Sequence, residues 1–490
     1  MVSPKDGLTT TESGGQATFT VALGSAPESD VTVALASSNT AEGVISPATL
    51  TFTKDNFNAP QVITITGVDD QLADGPQAYQ ILTAALVSDD VRYDGQNPDD
   101  VDVTNTDNDS PGITVTPVAD LVTTEAGGQA TFEVVLNSKP SDLVTIDLTS
   151  SDLTEGTVSG NLVFTTENWN APQTVTVTGV EDDLADGAQA YTIVTAPAVS
   201  TDLGYNGVDA ADVAVSNTDN DSPGITVTPT TGLFTDENGA QATFTIVLNS
   251  QPVADVTIGL ASNDTTEGIA TPASITFTTL NWNAAQTITV TGQDDNLADG
   301  NQVYSIITAD ATSTDAGYNN LPLADVELTN TDNDTAGITV TPIMNLVTDE
   351  GGAQATFTIV LNSQPTADVT IALSSSDTTE GTISPTAVTF TTTDWNAPQT
   401  VTITGQNDDV ADGNQPYTII TAAAASTDTG YATRNADDVS VTNNDNDSAN
   451  IIVAPTTGLV TTEAGAQATF TIVLASQPTG VVTIPLSSSD

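Results

Sequence analysis

The chain has 490 residues, 64 of them acidic and five basic, for a formal charge of −59, with no His and no Cys. That balance excludes nucleic acid and anionic membranes as partners, since both need a basic face, and it excludes disulfides as a source of stability. The 38% of apolar residues fall in regular alternation, which sets aside the disorder common in acidic, aromatic-poor chains. No apolar run reaches the roughly 18 residues of a membrane span, and residues 1–30 lack the layout of a signal peptide.

The first element along the chain is a repeat. Asn105-Thr-Asp-Asn-Asp109 recurs at Asn217–Asp221 and Asn330–Asp334 and, with Asn for Thr, at Asn443–Asp447. Glu12, Glu125, Glu237, Glu350 and Glu463 recur at intervals of 112 or 113 residues. Four units are therefore expected at 1–111, 112–223, 224–336 and 337–449, with a partial fifth at 450–490. Both ends fall inside a unit, so the sequence reads as a window onto a longer array. The stub at 450–490 is expected to be completed by further sequence or by another chain.

Within unit three, seven runs with period two are predicted as strands: 225–229, 241–249, 254–261, 270–278, 286–292, 303–309 and 324–330. In Ala242-Thr-Phe-Thr-Ile-Val-Leu248 one face carries Ala242, Phe244, Ile246 and Leu248, and the other is mostly Thr, which suits a solvated strand surface. Gly, Pro, Asn and Asp bound each run. Seven strands in a unit of this size predict an all-β fold of tandem antiparallel Greek-key sandwiches, immunoglobulin-like and arranged end to end as a rod.

Strand parity then sorts the acidic motifs. If every strand reverses direction, the loops after runs one, three and five share a pole with the end of run seven. In unit two these loops carry Glu125, then Asp152 and Glu155, then Glu181, Asp182 and Asp186, and finally Asp219 and Asp221. Carboxylates crowded together cannot all stay ionised without a cation. An all-oxygen ligand set suits calcium better than magnesium, and the lack of His and Cys argues against zinc, copper or iron. Register agrees, because Asp70, Asp182, Asp295 and Asp408 each precede Asp107, Asp219, Asp332 and Asp445 by 37 residues. The competing reading is that Asp, Asn and Gly fill turns for backbone reasons and the acids serve only solubility. The pair after run three is the less regular one, since Asn39 replaces its Asp in unit one.

The order Glu-x-Gly-Gly before the second run, Asp-Asp-x-x-x-Asp-Gly after the fifth and Asp-Asn-Asp closing the seventh resembles the Calx-beta domain. That family is a calcium-binding sandwich of sodium–calcium exchangers, integrin β4 and large bacterial surface proteins. The resemblance implies calcium ligands at Glu12, Asp69, Asp70, Asp74, Asp107 and Asp109 in unit one, and at Glu125, Glu181, Asp182, Asp186, Asp219 and Asp221 in unit two. In unit three it implies Glu237, Asp294, Asp295, Asp299, Asp332 and Asp334, and in unit four Glu350, Asp408, Asp412, Asp445 and Asp447. Two departures bear on ion number and affinity. Asp74, Asp186, Asp299 and Asp412 stand where the family usually has Glu, and Asn108, Asn220, Asn333 and Asn446 interrupt its terminal acids.

Phe57, Trp169, Trp282 and Trp395 recur in the loop after run four, at the pole opposite the acids. They are read as plugs against the preceding unit, with a sugar-stacking platform as the alternative. Tyr79, Tyr191, Tyr304 and Tyr417 open run six, where a tyrosine corner is expected. Tyr93, Tyr205, Tyr318 and Tyr431 in the next loop fit junction packing or ligand contact equally. The Asn-Asp-Ser/Thr acceptors for glycosylation are discounted, because their Asp belongs to the acidic pole.

Catalysis is not expected, because carboxylates repeated in every unit are all the chemistry on offer. The expected function is a secreted or cell-surface spacer, stalk or filament segment of a bacterial protein, whose junctions calcium would stiffen through tethers as short as Ser110-Pro111-Gly112. Its expected partners are neighbouring repeats and other copies of the chain. The alternative is an adhesive module that binds a carbohydrate or protein through the loops after runs four and six.

Overall fold

The computed structural model describes Met1–Asp490. It contains strands and no helix, and it divides into two compact units, Met1–Pro223 and Gly224–Asp490. Residues 224–336 illustrate the strand pattern that recurs with the sequence repeat.

The strands there are β1 (Ile225–Thr228), β2 (Leu233–Asp236), β3 (Gln241–Leu248), β4 (Val256–Ser262), β5 (Gly268–Thr271), β6 (Ser274–Phe277), β7 (Gln286–Gly292), β8 (Gln302–Thr308), β9 (Thr312–Ser313) and β10 (Val326–Thr331). One sheet has the order β1-β3-β7-β5 and the other β2-β10-β8-β4-β6, with β9 also on β4. Neighbours are antiparallel except β2, which lies parallel to β10. The all-β sandwich read from the sequence is therefore present.

The first run, 225–229, is followed by β2 in the other sheet, a strand the alternation had not marked, and the fourth, 270–278, is split between the sheets. The first breaks at Thr228–Pro229, a cis bond, and Gly232 at φ 76° leads the chain across to β2. Proline has no N–H to offer a ladder, so pairing with β3 stops there. The fourth run breaks in the same way at Thr271–Pro272. Each split strand keeps its direction as it changes sheet, so the loops stay at the poles that parity assigned to them.

The period of two puts one face of every strand in the core. In β7, Ile288 and Val290 are fully buried while Thr287, Thr289 and Thr291 turn to the other face. Facing them across the sandwich lie Ile258, Phe277, Ile306 and Val326, all buried. Each such side chain contributes about 1.5–3 kcal/mol relative to exposure.

Within each compact unit, backbone contacts link successive repeats, and in Gly224–Asp490 these include the N–H of Gln477 donating to the carbonyl of Asp409. In Met1–Pro223 the N–H of Lys139 donates to the carbonyl of Gln71 at 2.7 Å, beside a one-residue parallel bridge between Leu72 and Lys139. In Gly224–Asp490 the N–H of Gln364 donates to the carbonyl of Asn296 at 2.6 Å beside a Leu297–Gln364 bridge, and Ala298 packs on the core of the fourth repeat. Residues 450–490 form one antiparallel pair, Ile451–Ala454 with Thr471–Leu474. The third run expected there forms no strand, because the strands that flank β4 in a complete repeat have no counterpart within 450–490.

Two glycines in each repeat mark close approaches. A Cβ on Gly156 would stand 2.2 Å from the Tyr191 hydroxyl, and one on Gly179 would stand 2.2 Å from the Thr124 carbonyl. Gly179→Ala should therefore destabilise the second repeat by about 2–4 kcal/mol, because the obstructing atom is backbone and cannot step aside. Denaturant titration should resolve an earlier unfolding step in the variant.

Candidate metal centre

Each acidic pole is built from loop ends that the sheets hold in place. In the second repeat, Glu125 follows the strand Leu121–Thr124, and its N–H donates to the carbonyl of Thr218 at 3.1 Å, which extends the parallel pairing. Asp219 ties the loop after the fifth run to the end of the last strand. Its Oδ2 accepts the N–H of Gly187 and its Oδ1 the N–H of Asp221, both at 2.6 Å. The N–H of Asn220 donates to Glu125 Oε2 at 3.0 Å.

The result is a close group in which Glu125, Asp219 and Asp221 each offer an oxygen within 4.8 Å of the others. Glu12, Asp107 and Asp109 form the same group in the first repeat, and Glu237, Asp332 and Asp334 in the third. In the fourth, Asp445, Asp408 and Asp447 are the charges acting on Glu350. A second group stands beside the first. Glu155 meets Asp182 and Asp186 within the same 4.8 Å, as Glu267 meets Asp295 and Asp299. Asp412 and Asp408 act on Glu380 in the fourth repeat, and Asp70 acts on Glu12 in the first.

Glu42, Glu155, Glu267 and Glu380 lay outside the residues that the family pattern supplied. Strand parity had already set Glu155 at this pole, and the signal that could have found its counterparts was the Glu-Gly pair after the third run, at Glu42-Gly43, Glu155-Gly156, Glu267-Gly268 and Glu380-Gly381. The neighbouring Asp152 stays out of the group. Its Oδ1 accepts the N–H of Thr154 at 2.9 Å, a local turn bond that Asn39 also makes to Ala41 at 3.1 Å, which explains why Asn is tolerated at that position. Asp69, Glu181 and Asp294 lie one step outside the close groups. Their carboxylates accept the side-chain amides of Asn108, Asn220 and Asn333 at 2.9, 3.2 and 3.3 Å. Asp74 is the matching residue to Asp186 and Asp299 in the loop after the fifth run, where Gln77 Nε2 donates to its carbonyl at 3.0 Å.

Burial makes the charge costly. Glu12 and Glu125 are 2% exposed, and burial, with the nearby Asp charges adding to it, raises their pKa to about 7 despite one backbone bond each. Glu237 is also raised to about 7 by burial. Asp109, Asp221, Asp334 and Asp447 are raised by burial first and then by neighbouring carboxylates. The other pole handles Asp differently. Burial pushes Asp202 up, but the N–H groups of Ser141 and Gly204 outweigh it and hold the carboxyl below its usual range.

The donor set at the acidic pole fits a hard divalent cation. It consists of carboxylate oxygens from separate loops, it includes no nitrogen or sulfur ligand, and Asp221 Oδ2 is buried without any hydrogen-bond partner.

The aromatic columns have other duties. Trp169, Trp282 and Trp395 are half-buried against the core of their own repeat. Between the third and fourth repeats, Ala298 and Ala336 reach the fourth core. Phe57 packs in the same way on the first core. Tyr191 is buried and its hydroxyl meets Thr123 Oγ1 at 3.1 Å, a side-chain partner rather than the backbone partner of a tyrosine corner. Tyr205 is buried as well, and its hydroxyl donates to the Ser138 carbonyl at 2.6 Å within the same repeat.

No family model and no curated protein matches the chain. Among solved structures it overlaps the calcium binding domain CBD12 of CALX1.1, at 14% identity over 44% of this chain and 98% of that one, with a TM-score of 0.24. It overlaps the apo-form Calx CBD1 domain at 17% identity over 23% of this chain and 99% of that one, with a TM-score of 0.19. Domains 4–9 of the surface layer protein SbsC overlap at 14% identity over 91% of this chain and 64% of that one, with a TM-score of 0.20. Superpositions this loose transfer neither ligand nor location.

The raised glutamates set the sign of a pH effect. Their folded pKa of about 7 lies above the unfolded value, so their stabilising contribution is complete below about pH 4.5 and is lost as pH rises through 7. Chelated protein should therefore be less stable at pH 8 than at pH 5, by up to about 3 kcal/mol per repeat, as read from thermal melts in EDTA.

Proposed function

We propose that this chain is a calcium-stabilised structural array, an extracellular spacer, stalk or filament-forming segment of a bacterial surface or adhesion protein, with no catalytic role. The observation that carries the reading is the acidic grouping at one pole of each sandwich, doubled in the second and third, in which burial raises the pKa of Glu12, Glu125, Glu237 and Glu350. The resemblance of the loop motifs to the Calx-beta pattern points the same way.

The first group, Glu125, Asp219 and Asp221 with its counterparts, and the second, Glu155, Asp182 and Asp186 with its counterparts, are the residues that would hold calcium. Bound calcium supplies positive charge that lets these carboxylates stay ionised while buried. The chain does the rest. Asp219 fastens the loop 180–188 to the end of the last strand, and the matching loop of the first repeat carries Asp70, Asp74 and the carbonyl of Gln71 that reaches Lys139. Ordering that loop would order the link to the next repeat. A spacer benefits from such a device, because stiffness and length are what it contributes.

No such benefit accrues to an enzyme from copying one carboxylate group into every repeat. The half-buried Trp side chains, packed on their own cores, give little support to sugar stacking by that loop.

Removing calcium with EDTA should lower the melting temperature by at least about 10 °C, given the linkage expected for a site saturated at 100 times its Kd. Adding calcium back should restore it, and magnesium should do so far less well. Native mass spectrometry should count at least one calcium per complete repeat. Unchanged melting in EDTA would contradict the proposal.

A further inference from the structure

Behind the glutamate after the third run of each repeat lies a buried amide, the Asn that opens the recurring Asn-Thr-Asp-Asn-Asp motif, to which the calcium reading gives no role. Asn217, fully buried on the last strand, has all its side-chain valences committed. Its Nδ2 donates to the Val180 carbonyl at 3.1 Å and to Glu155 Oε2 at 3.4 Å, and its Oδ1 accepts Thr123 Oγ1 at 2.9 Å. The arrangement is repeated at Asn105, Asn330 and Asn443, whose amides lie 3.3, 3.2 and 3.2 Å from Glu42, Glu267 and Glu380. Space for it is cleared by a missing side chain, because a Cβ on Gly179 would lie 2.5 Å from Asn217 Oδ1.

We infer that Asn217, with Asn105, Asn330 and Asn443, is a positioning residue for the cation held by the second acidic group, an inference that rests on the calcium reading above. Val180 opens the loop that carries Asp182 and Asp186, and Glu155 closes the loop after the third run. One amide therefore sets the separation of the two loops whose acids must meet. Its chemistry suits the task. A Lys or Arg would neutralise the group and remove its demand for a cation, and an Asp would repel Glu155, whereas an amide donates while leaving the carboxylate its charge. Separations of 3.2–3.4 Å are long for a charged acceptor, so the contact orients the glutamate more than it neutralises it. Glu155 is 7% exposed, and the amide of Asn217 is the one hydrogen bond its carboxylate receives, which leaves Oε1 for the Asp182 and Asp186 side.

The test uses the full chain with Asn105, Asn217, Asn330 and Asn443 all changed to Leu, stripped with EDTA and titrated with calcium in a calorimeter. One class of calcium sites, one per complete repeat, should weaken at least tenfold, while the class held by Glu12, Glu125, Glu237 and Glu350 keeps its affinity. Thr10, Thr123, Thr235 and Thr348 changed to Val form the control, expected to lower the melting temperature of the stripped protein and leave the calcium titration unchanged. If the fourfold Leu chain does not fold, Asn217→Leu alone should weaken a single ion of the wild-type count. An unaltered calcium titration in a folded Leu variant, whatever its melting temperature, overturns the positioning role and spares the calcium reading. A wild-type chain that binds no calcium overturns both.

Discussion

Repulsion among carboxylates that the fold gathers at one end of each sandwich is the constraint on which the rest depends. The sheets bring loop ends together for reasons unrelated to charge, since antiparallel runs joined by short connections must alternate between two poles. What distinguishes this chain is that the loops at one pole gather Glu and Asp into close groups, while those at the other bear Trp, Tyr and acids such as Asp202 that are held by backbone donors. At the acidic pole Glu125 is almost fully buried with a single backbone donor, and its neighbours are other acids. At the opposite pole Asp202 has two backbone donors and no need of a counter-ion. A carboxylate thus serves as a clasp where two backbone donors meet it, as at Asp202 and Asp219, and as a source of strain where one donor faces a crowd of acids, as at Glu125.

That contrast bears on how the chain would be stabilised. With no disulfide and a charge of −59, each sandwich has its apolar core and little else to offset conformational entropy. The core is complete, with Phe, Ile and Val fully buried on both sheets, and it carries the fold. The poles subtract from that stability unless positive charge is supplied, and the five basic residues cannot supply it. Arg92 and Lys5 lie in the first repeat and pair with Asp90, Glu28 and Asp99, none of which belongs to the acidic groups.

Much of this was legible in the sequence. Alternation of Thr with Ile and Val identified the strands, and counting reversals placed Glu125, Asp182 and Asp219 at one pole without any coordinate. The change of sheet was not legible, because alternation reports the face of a strand rather than its neighbour, and the shift of buried positions from Ala270 to Ile275 and Phe277 across Thr271–Pro272 shows only in the fold. The role of Glu155 was obscured by Asp152 beside it. The varying Asp made the whole motif look irregular, whereas the invariant partner was the Glu-Gly step. Asn217 was invisible as a polar tether because its sequence context, the Asn-Thr-Asp-Asn-Asp run, drew attention to the acids that follow it. That each Trp packs on its own core was also beyond the sequence, because recurrence at a pole does not say which core an aromatic meets.

The most direct measurement is anomalous diffraction from crystals of the chain grown with calcium. Peaks are expected among Glu125, Asp219 and Asp221, among Glu155, Asp182 and Asp186, and at the matching positions of the other complete repeats. Maps with no anomalous density at these poles, or with the carboxylates turned apart toward solvent in the presence of calcium, would contradict the claim that a bound cation relieves their repulsion.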